Sequence, residues 1–240
     1  MLRSAWVLVA SFFVTLGYAI KLSALLSFGK ADPLCGRCDS VARKWSRSIL
    51  GIAGVSVVIE GTENLDSSVS CIVVANHESW FDVWALMACL PINGKFVAKY
   101  ELTAIPLFGS FLRDCGHVAI DRMNRDTAVR SMRTIVERMN KKILQVIIFA
   151  EGTRSADGEL QPFKKGPFVL AIEAGVPVVP VSIIGSREIM PKGSFLISRG
   201  EITVRVGEPI SVVGLVYEDR DHLREIAQAT VAELKGRQKV

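Results

Sequence analysis

Asn76-His77 directly follows an apolar run, Cys71 to Ala75, and Asp82 comes five residues after the histidine, at the head of a second apolar run ending near Leu90. A histidine with a carboxylate in reach is the pairing of a general base. The carboxylate fixes the imidazole tautomer, and the other ring nitrogen takes a proton from a hydroxyl. On a continuous helix a spacing of five separates two side chains by about 140°, so the pair meets only if His77 lies in the turn before the helix carrying Asp82. Taken alone, the spacing fits a structural pair equally well. Two other chemistries fail on the same letters. Position 81 is Phe, where the zinc-protease helix needs a second His, and no G-x-S-x-G elbow occurs for a serine nucleophile.

Two further polar clusters follow apolar runs. Gly116 to Arg122 holds the run Val118 to Ile120 with Arg122 close behind it, and Glu151-Gly152-Thr153-Arg154-Ser155 follows Val146 to Ala150. In an open parallel sheet, positions after strand ends line the crevice where ligands bind. Guanidinium groups at Arg122 and Arg154 suit bidentate binding of a phosphate monoester, and Gly152 allows close backbone approach. Either arginine by itself is equally well read as a surface ion pair.

The elements that position these residues are legible as alternating patterns. Val55–Ile59, Ile72–Ala75, Phe96–Ala98, Val118–Ile120, Val146–Ala150 and Val178–Ile184 read as strands, most of them buried on both faces. Between them Asp126–Lys142 carries Val129, Met132, Ile135 and Met139 at helical spacing, and Pro167 opens a helix that Gly175 closes. A last helix is expected over Asp221–Leu234. This is α/β layering around a mostly parallel central sheet flanked by helices.

Ahead of the sheet, Ala5 to Ile20 holds no charge and makes a helix about 24 Å long. Continuing through Lys21 to Phe28 gives about 36 Å, so spanning and half-inserted readings both stand. Residues 41–52 mix basic positions with Trp45, Ile49 and Leu50, as an interfacial helix or a helix packed on the domain would. We divide the chain into an anchoring segment, 1–53, and a catalytic domain, 54–240. The basic residues after the apolar run place that domain on the cytoplasmic face of the cell membrane, against its anionic leaflet. A net charge of +5 with half the residues hydrophobic suits a membrane surface, and the dispersed basic residues lack a nucleic-acid recognition element. Five cysteines with one isolated C-x-x-C, Cys35 and Cys38, provide neither a disulfide framework nor a zinc site.

Asn-His-Glu-Ser-Trp-Phe-Asp at 76–82, Gly116 through Arg122, Glu151 through Ser155 and Val176 through Val181 resemble, in that order, the four motif blocks of the glycerolipid acyltransferases, among which the bacterial 1-acyl-sn-glycerol-3-phosphate acyltransferases are most similar. The resemblance covers roughly residues 55–210. It implies His77 as general base, Asp82 as its orienter, and Arg122, Glu151, Gly152, Thr153 and Arg154 around the acceptor's phosphate. Lys99 and Lys165 resemble basic positions flanking the site, where solvated surface charge is the alternative. The implied reaction moves a fatty-acyl chain from acyl-CoA or an acyl carrier protein thioester to the free hydroxyl of a lysophospholipid, without metal or other cofactor. Other lyso-lipid acceptors, lyso-ornithine lipid included, a fatty-acid-releasing hydrolase and an inactive lipid-binding adaptor stay open.

Overall fold

A computed structural model describes residues 1–27, 36–105, 108–121 and 124–237. Seven strands form one sheet: β1 (Val55–Glu60), β2 (Cys71–Ala75), β3 (Lys95–Lys99), β4 (Val118–Ile120), β5 (Gln145–Phe149), β6 (Val178–Ile184) and β7 (Gly200–Val206). Their spatial order is β1-β7-β6-β2-β5-β3-β4, parallel throughout except for the antiparallel β6–β7 pair. The strand β7 was not anticipated from the sequence. Glu201, Thr203 and Arg205 interrupt its apolar residues, and Arg205 is buried with its guanidinium on Glu60 and on the carbonyl of Leu234.

Helices cover both faces: α1 (Leu2–Ser27), α2 (Gly36–Ala53), α3 (Phe81–Cys89), α4 (Phe108–Asp114), α5 (Arg125–Lys141), α6 (Gly166–Ala174), the short α7 (Ser186–Ile189) and α8 (Arg220–Gly236). The all-apolar β2 shows why both layers are needed. Its side chains alternate, Val73 and Ala75 packing with Phe81, Ala85 and Leu86 of α3, and Ile72 and Val74 packing with Phe168, Leu170 and Ala171 of α6. From β2 the chain leaves through α3 past β5 to β3, whereas from β5 it leaves through α6 past β2 to β6. The two connections depart in opposite directions on opposite faces. The carboxyl ends of β2 and β5 therefore border a crevice, the switch point where open α/β sheets bind ligands.

Two helices precede the sheet and are packed against it. Helix α1 is about 39 Å long, and it is apolar and long enough to cross a membrane by length and composition. Both its ends nevertheless touch the same folded unit. At the start, the Arg3 guanidinium donates to the carbonyls of Ala53 and Ile197, and the Ser4 hydroxyl accepts from the Ile197 amide. At the far end, Leu22 packs with Cys38, Val41 and Cys115. The helix thus lies along the domain, with Trp6, Val9, Phe12 and Phe13 exposed on its outer side. A cleft of about 240 Å³ opens between α1, α2 and α4, lined by Phe12, Leu16, Trp45, Phe108 and Phe111 among others.

Helix α2 turns Asp39 and Arg43 inward and keeps Arg37 and Lys44 exposed. Arg43 donates to the carbonyls of Leu90 and Ile92 and Arg47 to that of Ala88, meeting the acceptors at the C-terminal end of α3. Asp39 forms a buried ion pair with Lys95 of β3 at 2.5 Å. Of the expected C-x-x-C pair, Cys38 is buried and Cys35 lies outside the described residues.

Candidate active site

The site grows from the end of β2. Asn76 continues the strand with its side chain. Its amide group donates to the Ile183 carbonyl at 2.8 Å and accepts from the Ile183 amide at 2.7 Å, which ties the strand end to β6. The next residue, His77, is held by its backbone from the other side. Its amide donates to Glu151 at 2.6 Å, and its carbonyl accepts from the Ser155 amide at 2.7 Å. The imidazole lies flat on Phe149, ring centroids 3.9 Å apart and planes 13° from parallel.

Asp82 completes the arrangement. It sits in the first turn of α3, fully buried, and its Oδ2 is 2.7 Å from Nδ1 of His77. The same oxygen accepts from the amides of Glu78 and Ser79, at 2.7 and 2.8 Å. Three donors on one oxygen compensate for burying the carboxylate. They also explain the five-residue spacing, because the carboxylate folds back over the turn His77–Trp80 and so reaches a histidine that lies before the helix. With Nδ1 facing an acceptor, the proton of the neutral ring sits on Nδ1 and Nε2 carries the lone pair. The His77 side chain is 15% exposed, and its Nε2 has no hydrogen-bond partner among the described residues.

The turn after β5 supplies the second wall. Gly152 closes it with φ of 76°, a conformation that favours glycine, and its amide donates to the Phe149 carbonyl. The turn directs Glu151 under His77, where burial pushes its carboxyl up to about 7 against the pull of the two amides it accepts from, those of Gln161 and His77. Both Glu151 oxygens accept from backbone amides inside the protein, and one of them holds the amide of His77. Thr153 is exposed at the rim, and the Arg154 guanidinium lies over the Trp80 ring, 5.0 Å from its centroid.

The remaining expected residues divide. Arg122 lies outside the described residues. Lys99 is exposed at the end of β3, 3.9 Å from Glu101. Lys165 pairs with Asp221 of α8 at 3.0 Å, so the structure places it in a surface ion pair. Two lysines enter that motif reading did not single out. Lys192 donates to the Arg154 carbonyl at 2.8 Å and lies 3.5 Å from the Thr153 hydroxyl. Lys235, near the end of α8, pairs at 2.5 Å with buried Glu78, whose carboxyl burial raises and this lysine lowers. No sequence spacing connects 192 with 154 or 235 with 78; only the fold does.

Known proteins resemble the chain in sequence and in fold. A family profile described as Acyltransferase matches residues 56–184. The chain is 40% identical over 154 residues to a chloroplastic 1-acyl-sn-glycerol-3-phosphate acyltransferase of Brassica napus, aligned over 63% of this chain and 44% of the relative. It is 34% identical over 192 residues to a 1-acyl-sn-glycerol-3-phosphate acyltransferase of Limnanthes douglasii, over 80% of this chain and 68% of that one. Its fold is similar to the crystal structure of the 1-acyl-sn-glycerophosphate acyltransferase PlsC from Thermotoga maritima, with a TM-score of 0.71, 29% identity, and coverage of 98% of this chain and 100% of that one.

Proposed function

Since the chain belongs to the acyltransferase family, we propose that it transfers a fatty-acyl group from an acyl thioester to the free hydroxyl of 1-acyl-sn-glycerol-3-phosphate, forming phosphatidic acid. The observation that carries this reading is the 2.7 Å contact between buried Asp82 and Nδ1 of a partly exposed His77. The acceptor hydroxyl gives its proton to His77 Nε2 as its oxygen attacks the thioester carbonyl. The tetrahedral intermediate then expels the thiolate, which takes the proton back from the imidazolium, and the Asp82 carboxylate stabilises that imidazolium. General-base help of about 10²- to 10⁴-fold acts on an already activated thioester, so the chain's main tasks are holding the base and placing the two substrates.

The acceptor phosphate is assigned to the rim at Arg154, Lys192 and Thr153, with Arg122 as a further ligand. Stacking on Trp80 limits the conformations of the Arg154 guanidinium, which then presents its N–H fork at lower entropic cost. The relatives named for 1-acyl-sn-glycerol-3-phosphate support this acceptor. Acyl-CoA and acyl carrier protein are both compatible donors, and the apolar cleft beside α1 has the chemistry of an acyl-chain surface. Helix α1 is assigned to the surface of the membrane on its cytoplasmic face. A helix whose two ends touch one domain lies along the bilayer, its exposed apolar side entering the headgroup and acyl boundary.

The test is to incubate the purified full chain with both donors and a panel of lyso-lipids, resolving acylated lipid from free fatty acid. Phosphatidic acid from 1-acyl-sn-glycerol-3-phosphate is expected to dominate. Preferential acylation of a lyso-lipid without a phosphate monoester would overturn the acceptor assignment. Release of fatty acid in place of acylated lipid would overturn the transfer itself.

A further inference from the structure

The segment between α7 and β7 carries an exposed apolar tip that the site's chemistry does not use. Phe195 and Leu196 are 75% and 56% exposed. The backbone around them is tied down. The Ser194 amide donates to the Pro191 carbonyl, that of Leu196 to the Ser194 hydroxyl, and that of Ser198 to the Ile189 carbonyl. The segment is also joined to α1, through the Ile197 amide on the Ser4 hydroxyl at 3.0 Å and the Arg3 guanidinium on the Ile197 carbonyl. Two apolar side chains held outward on a braced loop therefore continue the exposed apolar side of α1, where Leu2 and Trp6 stand beside Arg3 and Ser4. Exposed Lys192 and Arg199 flank the tip, and no acidic residue lies between Pro191 and Arg199. Lys192 is the residue that touches Arg154 and Thr153.

We propose that this loop is a second bilayer contact, with Phe195 and Leu196 entering an anionic lipid surface beside α1 and fixing the phosphate-binding rim at headgroup level. The inference rests on the reading that α1 lies in the membrane surface. Continuity with that helix and the basic flanks both point to lipid as the occupant, since the same arrangement of apolar tip and cationic rim matches an acyl boundary beneath anionic headgroups. A lyso-lipid leaving the bilayer at this edge would pass its phosphate to Lys192 and Arg154 without crossing an aqueous gap.

The experiment measures flotation of the full chain with vesicles of phosphatidylglycerol and phosphatidylethanolamine, for the wild type, for Phe195→Ser/Leu196→Ser, and for Phe12→Ser/Phe13→Ser on α1. Removing two apolar side chains from the bilayer contact should weaken partition about 10- to 100-fold. Turnover of a monomeric short-chain acceptor in solution stays at the wild-type level, which also reports that the variant is folded. Phe195→Trp, a side chain suited to the interface, keeps or strengthens partition. Equal flotation of the wild type and the loop variant, with the α1 variant impaired, overturns the loop contact and leaves the α1 reading standing. A wild type that does not float overturns both. Loss of self-association in the loop variant with flotation unchanged would identify a second copy as the occupant and overturn the proposal. Equal loss of turnover on the monomeric acceptor would do so as well, by making the loop part of the site's own framework.

Discussion

His77 follows the end of β2 and His117 comes just before β4 of the same sheet, and both use Nδ1, yet their surroundings give them opposite properties. At His77, Nδ1 meets a carboxylate, so this nitrogen donates and Nε2 is left with its lone pair at the partly open end of β2. At His117, which precedes β4, Nδ1 accepts from the Phe96 amide at 3.0 Å, and Nε2 is buried without a hydrogen-bond partner among the described residues. Burial first, and then the charges of Lys95 and Arg138, push His117 down to about 3. A ring held neutral by its surroundings serves packing and strand-end geometry. A ring facing a carboxylate, with its other nitrogen accessible, serves proton transfer.

The largest effect should come from removing the proposed base. His77→Ala is expected to lower transfer by about 10²- to 10⁴-fold with the fold intact by circular dichroism. Next is Asp82→Asn, which can present an N–H to His77 Nδ1 and shift the ring proton to Nε2. Loss on the order of 10²-fold is expected, visible as a fall in kcat and in the imidazole proton resonances. Arg154→Ala should act mainly on KM, raising it about 10- to 100-fold for a phosphate-bearing acceptor, as expected for losing a charge-assisted pair. Unchanged KM would remove Arg154 from the acceptor site.

His117→Asn sharpens the comparison from the other side. It keeps an acceptor for the Phe96 amide but loses ring volume, at a cost of about 1–3 kcal/mol in stability, with turnover per folded molecule unchanged. The pH dependence has a definite sign. The folded value lies below the ordinary value of 6.5, so the stability His117 contributes is complete above that value and is lost as pH falls toward 3. Urea melts of the wild type and His117→Asn should therefore converge as the pH is lowered from 7 toward 4. Parallel curves would show that His117 is not the group held neutral.

The sequence revealed the half of this contrast that is local. His77 and Asp82 lie five residues apart in a turn, and β2 and β5 are apolar on both faces, so their ends could be placed from the letters alone. Non-local features were hidden. The Arg205 and Glu201 charges obscured β7, although Ile202, Val204 and Val206 alternate as a strand would. Lys192 and Lys235 reach Thr153 and Glu78 only through tertiary structure. The bonds of Glu151 to the amides of His77 and Gln161 could not be read from its motif either, since the first spans the gap between two strand ends. The carbonyls at the end of α3 that Arg43 and Arg47 of α2 satisfy were likewise hidden, because they lie 41 to 49 residues away in sequence.

The central claim is that His77 acts on the acceptor hydroxyl and that acyl transfer is direct. Thiol release from the acyl thioester, followed at enzyme concentrations near the donor's with and without lyso-lipid acceptor, tests it most directly. Release is expected only when the acceptor is present, with no acyl group retained on the denatured protein, and no release is expected from His77→Ala. A stoichiometric burst of thiol without acceptor, with label held covalently by the chain, would contradict it.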